Sequence, residues 1–350
     1  MRKIVPPKQN LIYRILPLLF FCLFLLPALV SKAFAQGGDA SKSPPPTRPT
    51  VKSGTVAKRP GRAPQPNEGT LSPAERHFKK GQELYEQSKY PEAETELREA
   101  IRLAPNNVEY HKELGSILQA QQKEEEGELE YGKAETILRE AIKRAPNNAK
   151  YHYLLGDTLS NIDRIPEAET EYGEAVRLNP NNAEYHFLHG LSFENLVQRD
   201  TPAEDATKRL AAAEVEYRAA VRLNPNYKDG WYFLEGNLEW QKKQAEAESA
   251  VRDGLRVFPN DAGLNADLAR IFLSQQRWSD AETYYRKALL NSSKDNSSDT
   301  LAVWRDGLAT ALSRQGKMVE AETQESEAIR LSPNNKSYRD NLSQIQNNKP

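Results

Sequence analysis

The stretch AETELREAIRLAPNN, residues 93–107, returns farther along the chain as AETILREAIKRAPNN, residues 134–148. Its closing phrase recurs at Pro180-Asn181-Asn182 and Pro333-Asn334-Asn335, with Pro225-Asn226 and Pro259-Asn260 as variants. Within the stretch Ala93 and Ala100 stand seven residues apart, two turns of an α-helix, so both lie on one face where a neighbouring helix can approach closely. The same pairing is found at Ala134 and Ala141, Ala168 and Ala175, Ala213 and Ala220, Ala247 and Gly254, Ala281 and Ala288, and Ala321 and Ala328. A unit that recurs in this way cannot bury its apolar face alone and must stack on the next copy.

Outward from the repeats, the chain begins with a segment of another kind. Arg2, Lys3, Lys8 and Arg14 precede an apolar run from Ile15 to Val30, and Ala33-Phe34-Ala35 supplies the small-x-small pattern of a signal-peptidase site before Gln36. That order reads as a signal peptide over residues 1–35. The competing reading, an uncleaved anchor, suffers because an apolar run broken by Pro17 and Pro27 falls short of the ~20 residues that span a bilayer. Residues 36–70 are rich in Pro, Gly, Ser and Thr and carry six Lys/Arg against Asp39 and Glu68. They read as a basic, disordered linker with polyproline-like character. Ordered structure is expected from Ser72-Pro73-Ala74-Glu75, a capping box with proline at the first helical position.

The near-neutral whole conceals an acidic repeat region: beyond residue 70 there remain 37 basic and 47 acidic residues. That sign lacks the basic footprint of a nucleic-acid binder. Aromatics at 8% and the weight of Ala, Glu, Leu, Arg and Lys favour helix over strand. Cys22, the only cysteine, lies inside the signal segment, so the mature chain would have neither disulfides nor thiolate chemistry.

The recurring pattern resembles the tetratricopeptide repeat, a 34-residue helix-turn-helix unit with a small residue at position 8, alanine at 20 and 27 and proline at 32. Gly81, Ala93, Ala100 and Pro105 match in the first copy, and Gly115, Gly156 and Gly190 supply position 8 in the next three. Glu235, Ala269 and Ala309 stand there in the last three; Glu235 is the clearest departure, and Ser293 replaces the expected proline of the sixth copy. The resemblance implies an all-α fold, a right-handed α-solenoid of about seven repeats near 74–107, 108–148, 149–182, 183–227, 228–261, 262–295 and 302–335. A short helix on Tyr338, Leu342 and Ile345 is expected to cap its end, within 336–350. The second and fourth copies are over-long, around Lys123–Gly132 and Gln198–Lys208, by numbers of residues close to whole helical turns. Their helices can therefore lengthen without rotating the core face away. Asp200-Thr201-Pro202 predicts a cap and first-turn proline for a protruding helix, and Ser292–Thr300 reads as a loop. Glu and Arg four residues apart, as in Glu94 and Arg98, support helices at ~0.3–0.5 kcal/mol per pair.

Chemistry finds few candidates. His77, His111, His152 and His186 share the fourth repeat position, where Trp231 stands in the fifth copy, and read as packing residues too far apart to share a metal. His186 and His189 are the only metal-competent pair and have no obvious third ligand. No phosphate loop, nucleophile elbow or zincin motif is present. No catalytic residue, cofactor or metal is therefore assigned, and the chain reads as a non-enzymatic binder of a protein or peptide segment. It touches a membrane only through its signal segment, if that is retained.

In the resembled family the inner helices line a concave groove. Position 5 here is Phe78, Lys112, Tyr153, Phe187, Tyr232, Ala266 and Asp306, joined by Tyr85 and Trp240 at positions 12 and 13. Phe78, Tyr85, Tyr153, Phe187, Tyr232 and Trp240 are thus the candidate partner-binding residues, although such rings can equally fill gaps between inner helices. The clamp by which family members hold a terminal carboxylate, Lys and Asn at positions 5 and 9 of the opening repeat, is replaced by Phe78 and Gln82. The leading reading is a scaffold of the periplasm or cell envelope. The alternative is an envelope-binding structural spacer whose basic linker holds an anionic polymer or membrane surface.

Overall fold

The computed structural model describes residues 71–197, 201–293 and 296–347, so the signal segment and linker lie outside the described residues. Fifteen helices and no strand occur among the described residues. They divide into two compact units, one within Thr50–Val197 and one within Gln198–Pro350. The first holds three helix pairs, α1 (Pro73–Glu86) with α2 (Tyr90–Leu103), α3 (Val108–Ala120) with α4 (Glu124–Arg144) and α5 (Ala149–Asn161) with α6 (Ile165–Leu178), and then α7 (Ala183–Asn195). The second opens with α8 (Ala203–Leu223) and continues as α9 (Lys228–Trp240) with α10 (Gln244–Val257), α11 (Ala262–Ser274) with α12 (Trp278–Leu290), and α13 (Ser298–Arg314) with α14 (Met318–Leu331). α15 (Lys336–Asn347) closes it. In each unit successive pairs stack on one another. The boundary thus falls between α7 and α8, inside the fourth repeat.

Local chemistry accounts for the helix limits. Ser72 Oγ accepts the Glu75 amide at 3.2 Å while Glu75 Oε2 accepts that of Ser72 at 2.7 Å, completing the capping box. The second asparagine of each Pro-Asn-Asn phrase caps the helix that follows: Asn107, Asn148 and Asn182 accept the amides of Glu109, Lys150 and Glu184, and Asp261 does the same for Leu264. Between the two helices of a pair the chain turns through a left-handed residue, Ser88, Gln122, Asp163, Lys242 or Gln276, with Gly316 in the last pair. Pro202 is the residue before α8, extended at ψ 140° without a side-chain cap, rather than its first helical residue. The segment read as a loop before α13 is partly helical, because Ser297 Oγ accepts the Thr300 amide at 3.1 Å and starts the helix at Ser298.

The paired small residues lie in the interior, except Ala141, which is only half-buried because the extra heptad of α4 makes Gly127 and Ala134 its buried pair. Ala93, Ala100, Ala134, Ala168, Ala175, Ala213, Ala220, Ala247, Ala281, Ala288, Ala321 and Ala328 are all inaccessible. A Cβ on Gly115 would stand 2.8 Å from the Tyr131 ring, and one on Gly156 equally close to Tyr172, so the large residue of the second helix is seated on the missing side chain of the first. In α4 the extra heptad serves two neighbours. Gly127 and Tyr131 pack on α3 as Ala93 and Leu97 pack on α1, while one heptad later Leu138 joins the cluster of Leu155, Leu159 and Tyr172.

The Glu–Arg pairs do more than support their own helices. Glu94 accepts from Arg98 at 2.9 Å and also from Gln121 at 2.9 Å and Lys123 at 2.7 Å in the next repeat. Arg98 in turn reaches Glu126 at 3.1 Å. The same clasp forms at Glu214 with Arg218, Gln241, Lys243 and Glu246, and at Glu282 with Arg286, Gln315, Lys317 and Glu320. Burial alone would raise the Glu94 carboxyl; the Lys123, Gln121 and Arg98 donors outweigh it and hold it at about 2.

Candidate partner-binding face

In the second to sixth repeats the first helix is tied at its start by the fourth-position side chain. His111 Nε2 lies 2.9 Å from the Pro105 carbonyl, and His152 and His186 make the same bond to Pro146 and Pro180. Trp231 Nε1 donates to Pro225 at 2.9 Å, and Asn265 Nδ2 donates to Pro259. The histidines also bind a glutamate of their own second helix: His77 to Glu96, His111 to Glu130 and His152 to Glu171, at 2.6–2.7 Å. Both ring nitrogens of His111 face acceptors, so both must donate, which is the imidazolium form. Burial disfavours that charge, but the bonds to Glu130 and Pro105 win and raise the His111 pKa. These rings fix the seats of the helices that carry the candidate face. His186 and His189 remain two residues of one helix, with His189 Nε2 3.4 Å from Glu169. Among the described residues no three His, Cys, Asp or Glu side chains are grouped to hold a metal.

In the first unit the candidate aromatics lie against the following repeat. Phe78, half-buried, stacks on Tyr110 with centroids 4.7 Å apart. Tyr153 stacks on Tyr185 at 5.0 Å and its hydroxyl donates to Glu184 at 3.1 Å. Burial, with the Asp157 and Glu184 carboxylates, raises the Tyr153 phenol. Between these two rings, Lys112 pairs with Asp157 of the next repeat. Tyr85 leans on Tyr90 of its own repeat, centroids 5.5 Å apart. Phe187 is 4% exposed and offers almost no surface to a partner.

In the second unit charged side chains enter the interfaces between first helices. Tyr232 donates its hydroxyl to Asp261, and Trp240 is half-buried. Arg270 reaches back one repeat to Glu235 at 2.6 Å and Glu239 at 2.5 Å, and lies 3.9 Å from Asp267. Glu235 at the small-residue position is thereby explained: a carboxylate occupies it because the next repeat supplies a guanidinium. Burial and the neighbouring Asp267 push the Glu235 pKa well up against the opposing pull of Arg270, and burial lifts Asp267 to about 6. The sequence showed Glu235 as a departure but gave no sign of its partner. Arg270 is thirty-five residues away, and only the stacking of repeats brings the two together.

Among the described residues no helix is long and apolar enough to cross a membrane. Three segments match tetratricopeptide-repeat families: residues 81–122 the family described as TPR repeat, and residues 127–190 and 233–298 families described as Tetratricopeptide repeat. No curated protein has a significantly similar sequence. Among solved structures, the C-terminal part of a TPR repeat-containing protein from Cytophaga hutchinsonii shares 16% identity over 76% of this chain and 99% of its own, with a TM-score of 0.53. A tetratricopeptide repeat protein from Parabacteroides merdae shares 16% identity over 78% and 98%, with a TM-score of 0.47. YrrB, a TPR protein with an unusual peptide-binding site, shares 13% over 58% and 96%, also at 0.47. At such identities the likeness is one of fold.

Proposed function

Since the chain is a tetratricopeptide-repeat protein, we propose that it is an exported scaffold of the periplasm or cell envelope. It takes a segment of another protein against the first helices of its repeats. Tetratricopeptide repeats serve as scaffolds for protein–protein interaction, and their family and fold are typically non-enzymatic. The observation that carries the finer reading is the pair of half-buried rings, Phe78 and Tyr153, at one repeat position on first helices of the first unit. A rigid aromatic ring with one free edge anchors a peptide at small entropic cost. Polar neighbours such as Lys112, Asp157 and Glu184 supply the hydrogen-bonding rim. Phe187, being buried, is left to packing. The charged, apolar and small-residue segments before Gln36 support export.

Crosslinking capture from the native envelope identifies the partner, and affinity and melting temperature are then measured on the same variants. Phe78→Ala and Tyr153→Ala are expected to weaken binding at least tenfold, while Tyr153→Phe, which keeps the ring and loses the bond to Glu184, retains most of it. Unchanged affinity in well-folded Phe78→Ala and Tyr153→Ala variants would remove the first helices from the binding role. Deletion of residues 36–70 is expected to leave capture intact; loss of envelope retention on that deletion would favour the spacer reading.

A further inference from the structure

Six repeats carry an apolar side chain four residues after a buried small residue in the second helix: Leu97, Tyr131, Tyr172, Tyr217, Val251 and Tyr285, all 0–4% exposed. The seventh has Glu325 at that place, four residues after Ala321, and it is 0% exposed. Opposite it on α13 is Asp306, 3% exposed, at the position where other repeats carry aromatics, Lys112 or Ala266. Neither oxygen of Glu325 makes a well-formed hydrogen bond, and the one donor near it is the Asn341 amide. Asp306 accepts one, from Asn341 Nδ2 of α15 at 2.8 Å.

An ionised carboxylate sealed from water without a well-formed hydrogen bond is far too costly to persist, so the group keeps a proton instead. Asp306 reinforces this, and burial and Asp306 together outweigh the Asn341 amide, which favours the charged form of Glu325. Two carboxyls so placed hold one proton between them. The other titratable groups facing the pair are the phenols of Tyr285 on α12 and Tyr338 on α15, both themselves raised by burial. Arg270 of α11 acts on the Tyr285 phenol, holding it down against burial. α15 is otherwise seated by Tyr338 and Ile345, both buried, by Arg339 on the Pro333 carbonyl at 2.7 Å and by Gln346 on Glu322 at 2.8 Å.

We infer that the proton shared by Asp306 and Glu325 latches the terminal helix: with the proton in place α15 stays seated, and its loss unseats α15. Unseating bares the cluster that Ile345 shares with Trp304, Leu308 and Tyr285. The sign follows from the raised carboxyl, which burial and Asp306 lift to about 9. Its contribution is complete below the ordinary 4.5 and is lost as pH rises from there toward the folded value. Acid fastens the cap and alkali loosens it.

The test is hydrogen exchange of the full chain between pH 5.5 and 9, corrected for the intrinsic pH dependence of amide exchange. In the native protein the opening constant of α15 should rise by up to ~tenfold per pH unit across the window. Glu325→Gln, whose amide can donate to Asp306 as the protonated acid does, should flatten that rise and leave α15 better protected than in the native chain at pH 8.5. Should that variant not fold, Asp306→Asn, which removes the neighbouring charge, should move the rise to end at lower pH. A native-like slope in Glu325→Gln, an unmoved window in Asp306→Asn, or a rise spread evenly over α11–α15 would each overturn the latch.

Discussion

The first unit and the last three repeats build the same helix pairs from different materials. Up to Val197 the helix interfaces are closed by rings and aliphatics, Leu97 on Gly81, Tyr131 on Gly115, Tyr172 on Gly156, with stacked pairs at Phe78–Tyr110 and Tyr153–Tyr185. Beyond Tyr227 three of the equivalent positions hold Glu235, Asp306 and Glu325, and Asp267 and Arg270 lie beside the first of them. Close packing of small and large residues is stable over a wide pH range because it contains nothing to titrate. A buried ionic interior is conditional: it rests on a partner or on a proton, and removing either leaves an uncompensated charge. One backbone pattern therefore supports a mostly apolar stack in one place, titrating chiefly at His111 and Glu130, and a more condition-sensitive one in another.

The sharpest way to break this contrast is Arg270→Met. It leaves Glu235 and Asp267 facing each other without a cation and should cost about 3–5 kcal/mol at neutral pH in denaturant unfolding. Lowering the pH should restore much of the loss, since both carboxyls already sit above their ordinary pKa. A loss under 1 kcal/mol would mean that water already screens the three carboxylates.

A smaller effect is expected where the first unit does titrate. The raised pKa of His111 means that its bonds to Glu130 and Pro105 stabilise fully below the ordinary 6.5 and fade as pH rises through the folded value. His111→Asn should remove that slope and cost about 1 kcal/mol at pH 6. The junction at Trp231 makes the same bond to Pro225 through an indole that does not titrate, so Trp231→Phe should shift stability equally at pH 6 and pH 8. A pH-independent cost of His111→Asn would show the ring to be neutral.

The smallest effect tests the turns common to both regions. Gln276 adopts φ 60° where the last pair has Gly316 at 78°. Left-handed backbone costs a side chain ~1–2 kcal/mol, partly offset by the extra freedom glycine has when unfolded. Gln276→Gly should therefore raise stability by up to ~1 kcal/mol, and Ser88→Gly in the first unit by a similar amount. A destabilisation at either site would show that the side chain contributes more than its backbone strain.

Much of the fold was legible because it is encoded locally. The Pro-Asn-Asn phrases place helix ends, Ser72 and Glu75 place the first helix start, and alanines seven apart mark the buried face, each within two turns of the residues concerned. Tyr338 and Ile345 announced α15 by their spacing in the same way. The candidate rings were legible as a shared repeat position, but not their state. Phe187 and Tyr153 look alike in sequence, yet one is buried and the other only half-buried.

By itself the sequence determined the repeat, most of its helix limits and all but one of its interior alanines, since these depend on spacings shorter than one helix pair. Tertiary structure alone decided which charges meet. Glu94 with Lys123, His111 with Glu130, Glu235 with Arg270 and Asp306 with Glu325 lie nineteen to thirty-five residues apart. Coulomb and hydrogen-bond energies depend on distances of a few Å and on access to water, and stacking sets both.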